Sequence, residues 1–265
     1  VQDPKSIAER DARLDSIKAS LLRLAHDVNN SLVPILGYST LIKEEIPAGT
    51  KSEKHLKSLE SAVVKAQELV EKILLATKPQ RKYKLEDCDF SILLNERIEL
   101  FPAVSGAASP VLTCNFKPFI RRLDPVLWSK AIEQLLLNAR EGLAPGGEIR
   151  LELDKVEIHA EFAKELGVDP GIFASLTIYQ TASSIVPDVL DHAFEPFFST
   201  HGKGKSKGLG LTIVHSVARF HGGQVYMGNV QGGVQVTVLI PSWNVIPEPI
   251  SMSDFFAPTS APQTK

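Results

Sequence analysis

The chain has 265 residues, room for one large or two ordinary domains, and its 43% hydrophobic content is enough for a proper core. A formal net charge of −2 with 23% charged residues excludes a general attraction to nucleic acid or to an anionic membrane surface. Cys88 and Cys114 are its two cysteines and make neither a ligand cluster nor a disulfide framework, so a reducing cytoplasm is the expected setting. No run of eighteen apolar residues occurs in these 265 residues, and no signal peptide is visible in them. The chain begins at Val1 rather than Met, so it reads as a piece cut from something longer, and a membrane-bound or sensory portion upstream stays open.

Residues 5–46 read as one long helix. Ile7, Leu14, Leu21, Val28, Ile35 and Ile42 recur at seven-residue spacing, and Ile17, Leu24, Leu32 and Ile46 follow most of them by three or four. That is the stripe of a helix packed along a coiled-coil-like seam. Ile7 has no such partner because Arg10 and Asp11 are charged, so the seam is expected to be weakest at its start. His26 points away from the seam, and Asn30, four residues on, shares its exposed face. An exposed histidine is most often only a solvated surface group. Pro34 lacks an N–H and crowds the carbonyl of Asn30, so a kink is expected there, either a tolerated bend or a functional hinge.

Residues 47–51 read as a turn, and a second helix is expected from Ser52 to Thr77 with the stripe Leu56, Leu59, Val63, Ala66, Val70, Ile73, Thr77. Two striped helices joined by a short loop make an antiparallel hairpin. Two hairpins can pair into a four-helix bundle, so a homodimer is expected. The hairpin is assigned to residues 1–79 and a basic, proline-containing linker to 80–83, its charges read as solvation.

The pattern then changes to mixed strands and helices. Expected elements are a strand at Cys88–Phe90, a helix at Ser91–Phe101 capped by Asp89 or Ser91, a strand at Val111–Phe116, and a helix at Pro125–Leu143 behind Asp124. Strands follow at Glu148–Ile158 and Leu176–Tyr179, with 160–173 as an inserted surface segment between them. A helix at Leu209–Phe220 ends at Gly222-Gly223, and Gln224–Met227 and Val234–Ile240 close as a hairpin over Gly232-Gly233. The expected fold class is therefore α plus α/β: the helical hairpin, then a two-layer α/β sandwich over 84–242. Residues 243–265, rich in Pro and Ser, read as a disordered tail or linker.

Three stretches outside the hairpin could carry chemistry. Gln134 and Asn138 lie four apart on one helical face, where a carboxamide oxygen suits a hydrated Mg²⁺, although alone they read as a polar helix face. Phe194-Glu195-Pro196-Phe197-Phe198 is either core or a hydrophobic latch under a mobile loop, and composition favours core. The loop at 202–208 carries Lys203, Lys205 and Lys207 among glycines and runs through Gly208 and Gly210 into a helix N-terminus, an arrangement that suits phosphate. His55, His159, His215 and His221 have no spaced ligand partners and take no role, while His192 and His201 flank the aromatic cluster, where His201 could approach phosphate but is assigned no role.

Taken in order, LAHDVNN (24–30), QLLLNARE (134–141), FEPFFST (194–200) and GKGKSKGLGLTIV (202–214) resemble the transmitter region of a bacterial two-component sensor histidine kinase. The nearest branch is the one whose phosphorylated motif reads His-Asp-Phe-Asn-Asn, common in hybrid kinases and phosphorelays, and the resemblance covers about residues 10–242. It implies that His26 is phosphorylated on a ring nitrogen, with Asp27 taking or orienting the proton of the other nitrogen. Asn30 would position water for dephosphorylating a response regulator. Asn138 would bind Mg²⁺ bridging the ATP phosphates, and Gly208 and Gly210 would shape the phosphate end, with Lys203, Lys205 and Lys207 near it. The implied cofactors are ATP and Mg²⁺, and the implied partner is a response regulator receiver domain.

The family's Asp-x-Gly-x-Gly box is altered. Gln180 stands for the Asp that accepts a hydrogen bond from the adenine amino group, Ala182 and Ser184 stand for glycines, and Gln134 stands for the upstream Asn. Losing a charge-assisted bond weakens binding by about 1–3 kcal/mol. Two readings follow. One is a histidine kinase that autophosphorylates His26 from Mg-ATP and passes the phosphoryl group to a receiver Asp. The other is an ATP-incompetent, kinase-like protein that relays phosphate between receiver domains through His26.

Overall fold

The computed structural model describes residues 4–77, 84–101, 111–114, 119–200 and 207–241. The expected linker at 80–83, the tail at 243–265, and Lys203 and Lys205 lie outside these residues.

Helix α1 (Pro4–Glu45) runs unbroken through Pro34, and α2 (Lys51–Thr77) returns along it. The turn closes through local bonds. Thr50 Oγ1 accepts the Glu53 N–H at 3.2 Å, and the Glu53 carboxylate accepts the Gly49 N–H at 2.6 Å, so two free donors at the start of α2 are satisfied by side chains. Lys43 and Glu60 meet at 3.3 Å across the hairpin. On α2, Leu56, Val63, Val70 and Ile73 are buried, the expected stripe, but Leu59 is exposed.

The sandwich follows. Strand β1 (Glu86–Asp89) pairs antiparallel with β3 (Ile120–Leu123), and between them lie helix α3 (Phe90–Glu99) and β2 (Val111–Cys114). Helix α4 (Pro125–Glu141) leads into β4 (Ile149–Ile158), α5 (Ala160–Leu166) and β5 (Gly171–Thr181). Short helix α6 (Pro187–His192), helix α7 (Gly210–Phe220) and strands β6 (Gln224–Val230) and β7 (Gly233–Pro241) complete it. The main sheet has the order β2-β4-β5-β7-β6, antiparallel except for the β2–β4 pair. Residues alternate along β4, so Ile149, Leu151 and Leu153 are buried under the helices while the other face is more open. Asp89 caps α3 by accepting the Ser91 N–H at 3.0 Å, and Asp124 caps α4 by accepting from Val126 and Leu127 at 2.9 Å. Trp128 is fully buried and meets Phe90 edge to face at 5.2 Å.

Four sequence expectations change. Residues 160–173 hold helix α5 (Ala160–Leu166) and the first three residues of a β5 strand that starts at Gly171 rather than Leu176. Strand β3 and helix α6 were not expected. In β3 the adjacent Arg121 and Arg122 hide a strand signal, and α6 is only 6 residues long. The predicted weak start of the α1 stripe is instead its best-buried part within the chain. Ile7 is 2% exposed and Leu14 0%, whereas Leu24 is 55% exposed and Ile42 46%.

The reason is that α1 begins against the sandwich. Gly167, which ends α5 at a left-handed φ of 62°, faces Ile7, and Arg219 of α7 donates to the Gly167 carbonyl at 3.1 Å. The charged residues that broke the stripe enter a polar network. Asp11 accepts from His215 Nε2 at 3.1 Å and from Gln224 Nε2 at 2.8 Å, and it ion-pairs with Arg10 at 3.0 Å. Lys18 Nζ lies 3.0 Å from His215 Nδ1. An ammonium can only donate, so Nδ1 must accept, and the ring carries its proton on Nε2, toward Asp11. Burial pushes His215 down to about 4 and Lys18 down to about 8. Burial would raise Asp11, but the hydrogen bond and charge of His215, then Arg10 and Gln224, hold it well below the usual carboxylate range. Arg10 also lies over the Phe194 ring at 4.8 Å, and Arg13 pairs with Glu195 at 2.8 Å. From the other helix, Glu71 of α2 meets Lys130 of α4 at 3.2 Å, and Ser216 of α7 donates to the Ala76 carbonyl.

Candidate functional site

A cleft of about 630 Å³ opens where the C-terminal half of α4, the end of β5 and the start of α7 converge. That size suits a small organic ligand. One end is apolar: Met227 and Val234 of the sheet, with Ala182 and Ile185 of the segment after β5. Gln180 sits at this end. It is 6% exposed, it faces Val234 across the β5–β7 pair, and its carboxamide makes no hydrogen bond among the described residues. Its Nε2 lies over Gly142, where an added Cβ would come within 2.3 Å of it, so glycine supplies the space this side chain occupies.

The other end is polar. Gln134 and Asn138 of α4 line it, and Gln134 Oε1 abuts Gly210, where a Cβ would stand 3.3 Å away. Helix α7 starts at Gly210 with no side-chain cap and no acidic residue in its first turn. Its free N–H groups are therefore open to an acceptor, with the positive end of the helix behind them. Gly208 leads into it at φ 64°, and a Cβ there would fall 2.5 Å from the Phe198 carbonyl oxygen, so the tight entry needs glycine. The loop is tied by the Phe197 N–H donating to the Gly208 carbonyl at 2.7 Å. Lys207, Arg140 and, from the hairpin, Lys72 add cationic groups to the wall, and Glu141 an anionic one.

The cleft therefore gathers Gln134, Asn138, Gln180, Lys207, Gly208 and Gly210. It does not gather His26, Asp27 or Asn30, which are exposed on α1 and absent from its wall. Among the described residues, the His26 ring and the Asp27 carboxylate make no side-chain hydrogen bond; the Asp27 carbonyl accepts from Ser31 Oγ at 3.0 Å. Ala182 lines the cleft, while Ser184 is exposed and outside it. Of the aromatic cluster, Phe194 is core, Phe198 lines the cleft, and Phe197 is half exposed with an unusual φ of 66°. Among the described residues no three His, Cys, Asp or Glu side chains cluster to hold a metal. The donor set instead fits a Mg²⁺ that takes one carboxamide oxygen, from Asn138, with the rest of its shell from phosphate and water. His215, given no role on sequence grounds, proves to be the centre of the contact between hairpin and sandwich. Its partners Asp11 and Lys18 lie about 200 residues away in the chain, so no local pattern could have pointed to it.

An open-faced sandwich with an apolar pocket, a helix N-terminus for phosphate and a carboxamide for a metal, joined to a helical hairpin, defines a nucleotide-binding domain coupled to a helical one. Comparison with known proteins agrees. Residues 123–244 match the family model of the histidine kinase-, DNA gyrase B-, and HSP90-like ATPases. The chain is 25% identical to the sensor histidine kinase ZraS of Salmonella typhimurium over 221 residues, 82% of this chain and 44% of that protein. It thus spans about half the length of the curated relatives it matches. The fold is shared with full-length ShkA in complex with AMPPNP (TM-score 0.55, 18% identity, 84% of this chain and 45% of that one). It is also shared with histidine kinase ThkA in complex with the response regulator protein TrrA (TM-score 0.52, 18% identity, 90% and 66%). Residues 123–244 therefore form an ATPase-family domain, and the sensor histidine kinase relatives support a two-component histidine kinase transmitter region. Among the described residues no helix is long and apolar enough to cross a membrane.

Proposed function

We propose that this chain autophosphorylates His26 from Mg-ATP and hands the phosphoryl group to an Asp of a response regulator receiver domain. The observation that carries the reading is the uncapped N-terminus of α7, entered through Gly208 and lining, together with Asn138, a cleft of nucleotide size. In the proposed division, residues 1–79 dimerise and carry His26, and 84–242 bind ATP. Gly208, Gly210 and the first turn of α7 hold the phosphates, Lys207 neutralises charge, and Asn138 would hold Mg²⁺, which supplies further charge neutralisation when bound. A His26 ring nitrogen attacks the γ-phosphorus, the bond to the bridging oxygen breaks, and ADP leaves. Asp27 takes up or orients the proton on the other ring nitrogen. Asn30 positions the water that later hydrolyses the receiver phosphate. Because His26 lies outside the cleft wall, transfer requires the sandwich to move relative to the middle of the hairpin, or a second copy to supply the histidine.

The distal seam supports a homodimer, since Leu24, Val28, Ile35 and Ile42 stay exposed in the single chain. The setting that fits is cytoplasmic, as the transmitter part of a longer sensor of the His-Asp-x-Asn-Asn branch found in phosphorelays. Gln180 and Ala182 at the apolar end favour a second reading, phosphate relay through His26 without ATP. A calorimetric titration with Mg-ATP separates the two. Saturable binding that Asn138→Ala weakens supports the kinase. No binding at millimolar ATP, with phosphate still moving from a phosphorylated receiver to His26, supports the relay.

A further inference from the structure

The chemistry at the apolar end of the cleft is carried by an amide. Gln180 is 6% exposed, lines the cleft among Ala182, Ile185, Met227 and Val234, and has no hydrogen-bond partner among the described residues. Its amide atoms open to the cleft and not to a protein partner, so a ligand that replaces water there is held by both the oxygen and the NH₂. The surrounding wall is apolar, suited to the face of an aromatic ring, while the cationic groups and the α7 N-terminus line the remainder of the cleft for phosphate.

We propose that Gln180 reads the base of a bound nucleotide in either of two orientations, so that the cleft accepts 6-oxopurine as well as 6-aminopurine nucleoside triphosphates. This rests on the reading that the cleft binds a nucleotide. A carboxylate in this place is an acceptor only: it takes the hydrogen of a 6-amino group and repels a 6-oxo group. A carboxamide offers an oxygen and an NH₂. In one orientation its oxygen accepts from the 6-amino group and its NH₂ donates to ring N1. Turned over, its NH₂ donates to a 6-oxo group and its oxygen accepts from the N1–H. The terminal torsion of glutamine is broad and roughly two-fold, so neither orientation is strained. Selectivity would come from a protein group that held the amide one way. None does among the described residues, and Gly142 beside Nε2 adds no side chain to do so.

The test is isothermal titration of the full chain with Mg-ATP and with Mg-ITP, which differ only in the groups at the 6-position edge. The expected result is dissociation constants within about threefold of each other, and Gln180→Asp then favouring ATP by about tenfold or more, because the new carboxylate meets the 6-oxo group unpaired. A wild-type preference for ATP of tenfold or more overturns the inference while leaving nucleotide binding intact. Binding of neither nucleotide overturns the nucleotide reading itself, and the inference with it. The wild-type ratio decides without any variant, so a poorly folding Gln180→Asp protein does not blunt the test.

Discussion

The two ends of helix α1 carry one apolar stripe but meet different surroundings. Near the start, Ile7 and Leu14 are sealed against the sandwich, and the intervening charges Arg10, Asp11 and Lys18 are drawn into a network with His215 and Gln224. Past His26 the same stripe continues through Val28, Ile35 and Ile42 and stays open to solvent. A heptad pattern therefore states that a face wants covering and not what covers it. Here the first part is covered from within the chain, and the second is left for a partner, which in the proposed function is a second copy. His26 lies at the junction, on the face that neither partner takes.

The largest expected effect separates the two ends outright. Charging the distal seam with Ile35→Asp and Ile42→Asp should convert the species seen by light scattering from dimer mass to monomer mass, with nucleotide binding retained, because both residues lie far along α1 from the cleft wall. A variant that keeps dimer mass would show that the open seam is not the dimer contact. At the docked end, Asp11→Ala removes the acceptor for His215 and Gln224 and the carboxylate that ion-pairs with the buried Arg10. Breaking a buried pair from one side costs about 3 kcal/mol. A denaturation midpoint equal to that of wild type would mean that the network contributes nothing to docking.

Next comes pH. His215 falls from 6.5 to about 4 in the docked state, so below pH 6.5 the undocked ring binds the proton the docked ring refuses. Stability therefore drops as pH is lowered from about 6.5 to about 4, and His215→Gln should flatten that slope. The Asp11 contribution runs at lower pH: its carboxyl is depressed below 3.8, so its stabilisation is present above that value and fades further down. Lys18, lowered to about 8 from 10.5, is charged in both states at neutral pH and adds no slope there. The smallest effect is expected at Lys72, an exposed residue that the hairpin contributes to the cleft wall. Lys72→Ala should weaken Mg-ATP binding about two- to fivefold, an exposed charge being largely screened. An unchanged affinity would place the cleft wholly within the sandwich.

What could be read from the sequence was local. The α4 face of Gln134 and Asn138, the glycine entry to α7 and the α2 stripe are set by spacings of three, four or seven residues, and, Leu59 apart, these lie where their spacing implied among the described residues. The cap at Asp124 was legible for the same reason, since side chain and helix start are adjacent. The contacts joining hairpin to sandwich were not. Asp11 and Gln224 are 213 residues apart, and nothing near either one announces the other. Helix α5 was similarly hidden, because its use as a seat for Ile7 depends on Gly167 meeting a residue from the far end of the chain. The place of His26 outside the cleft was also beyond reach, since it depends on how two units pack and not on any motif.

The central claim is that the phosphate on His26 comes from ATP held in the cleft. Incubating the full chain with Mg-ATP labelled at the γ-phosphate tests it most directly. The account predicts an acid-labile label on the wild-type chain that is lost in His26→Ala and reduced in Asn138→Ala. A chain that stays unlabelled at millimolar ATP, yet accepts phosphate on His26 from a phosphorylated receiver domain, would contradict it.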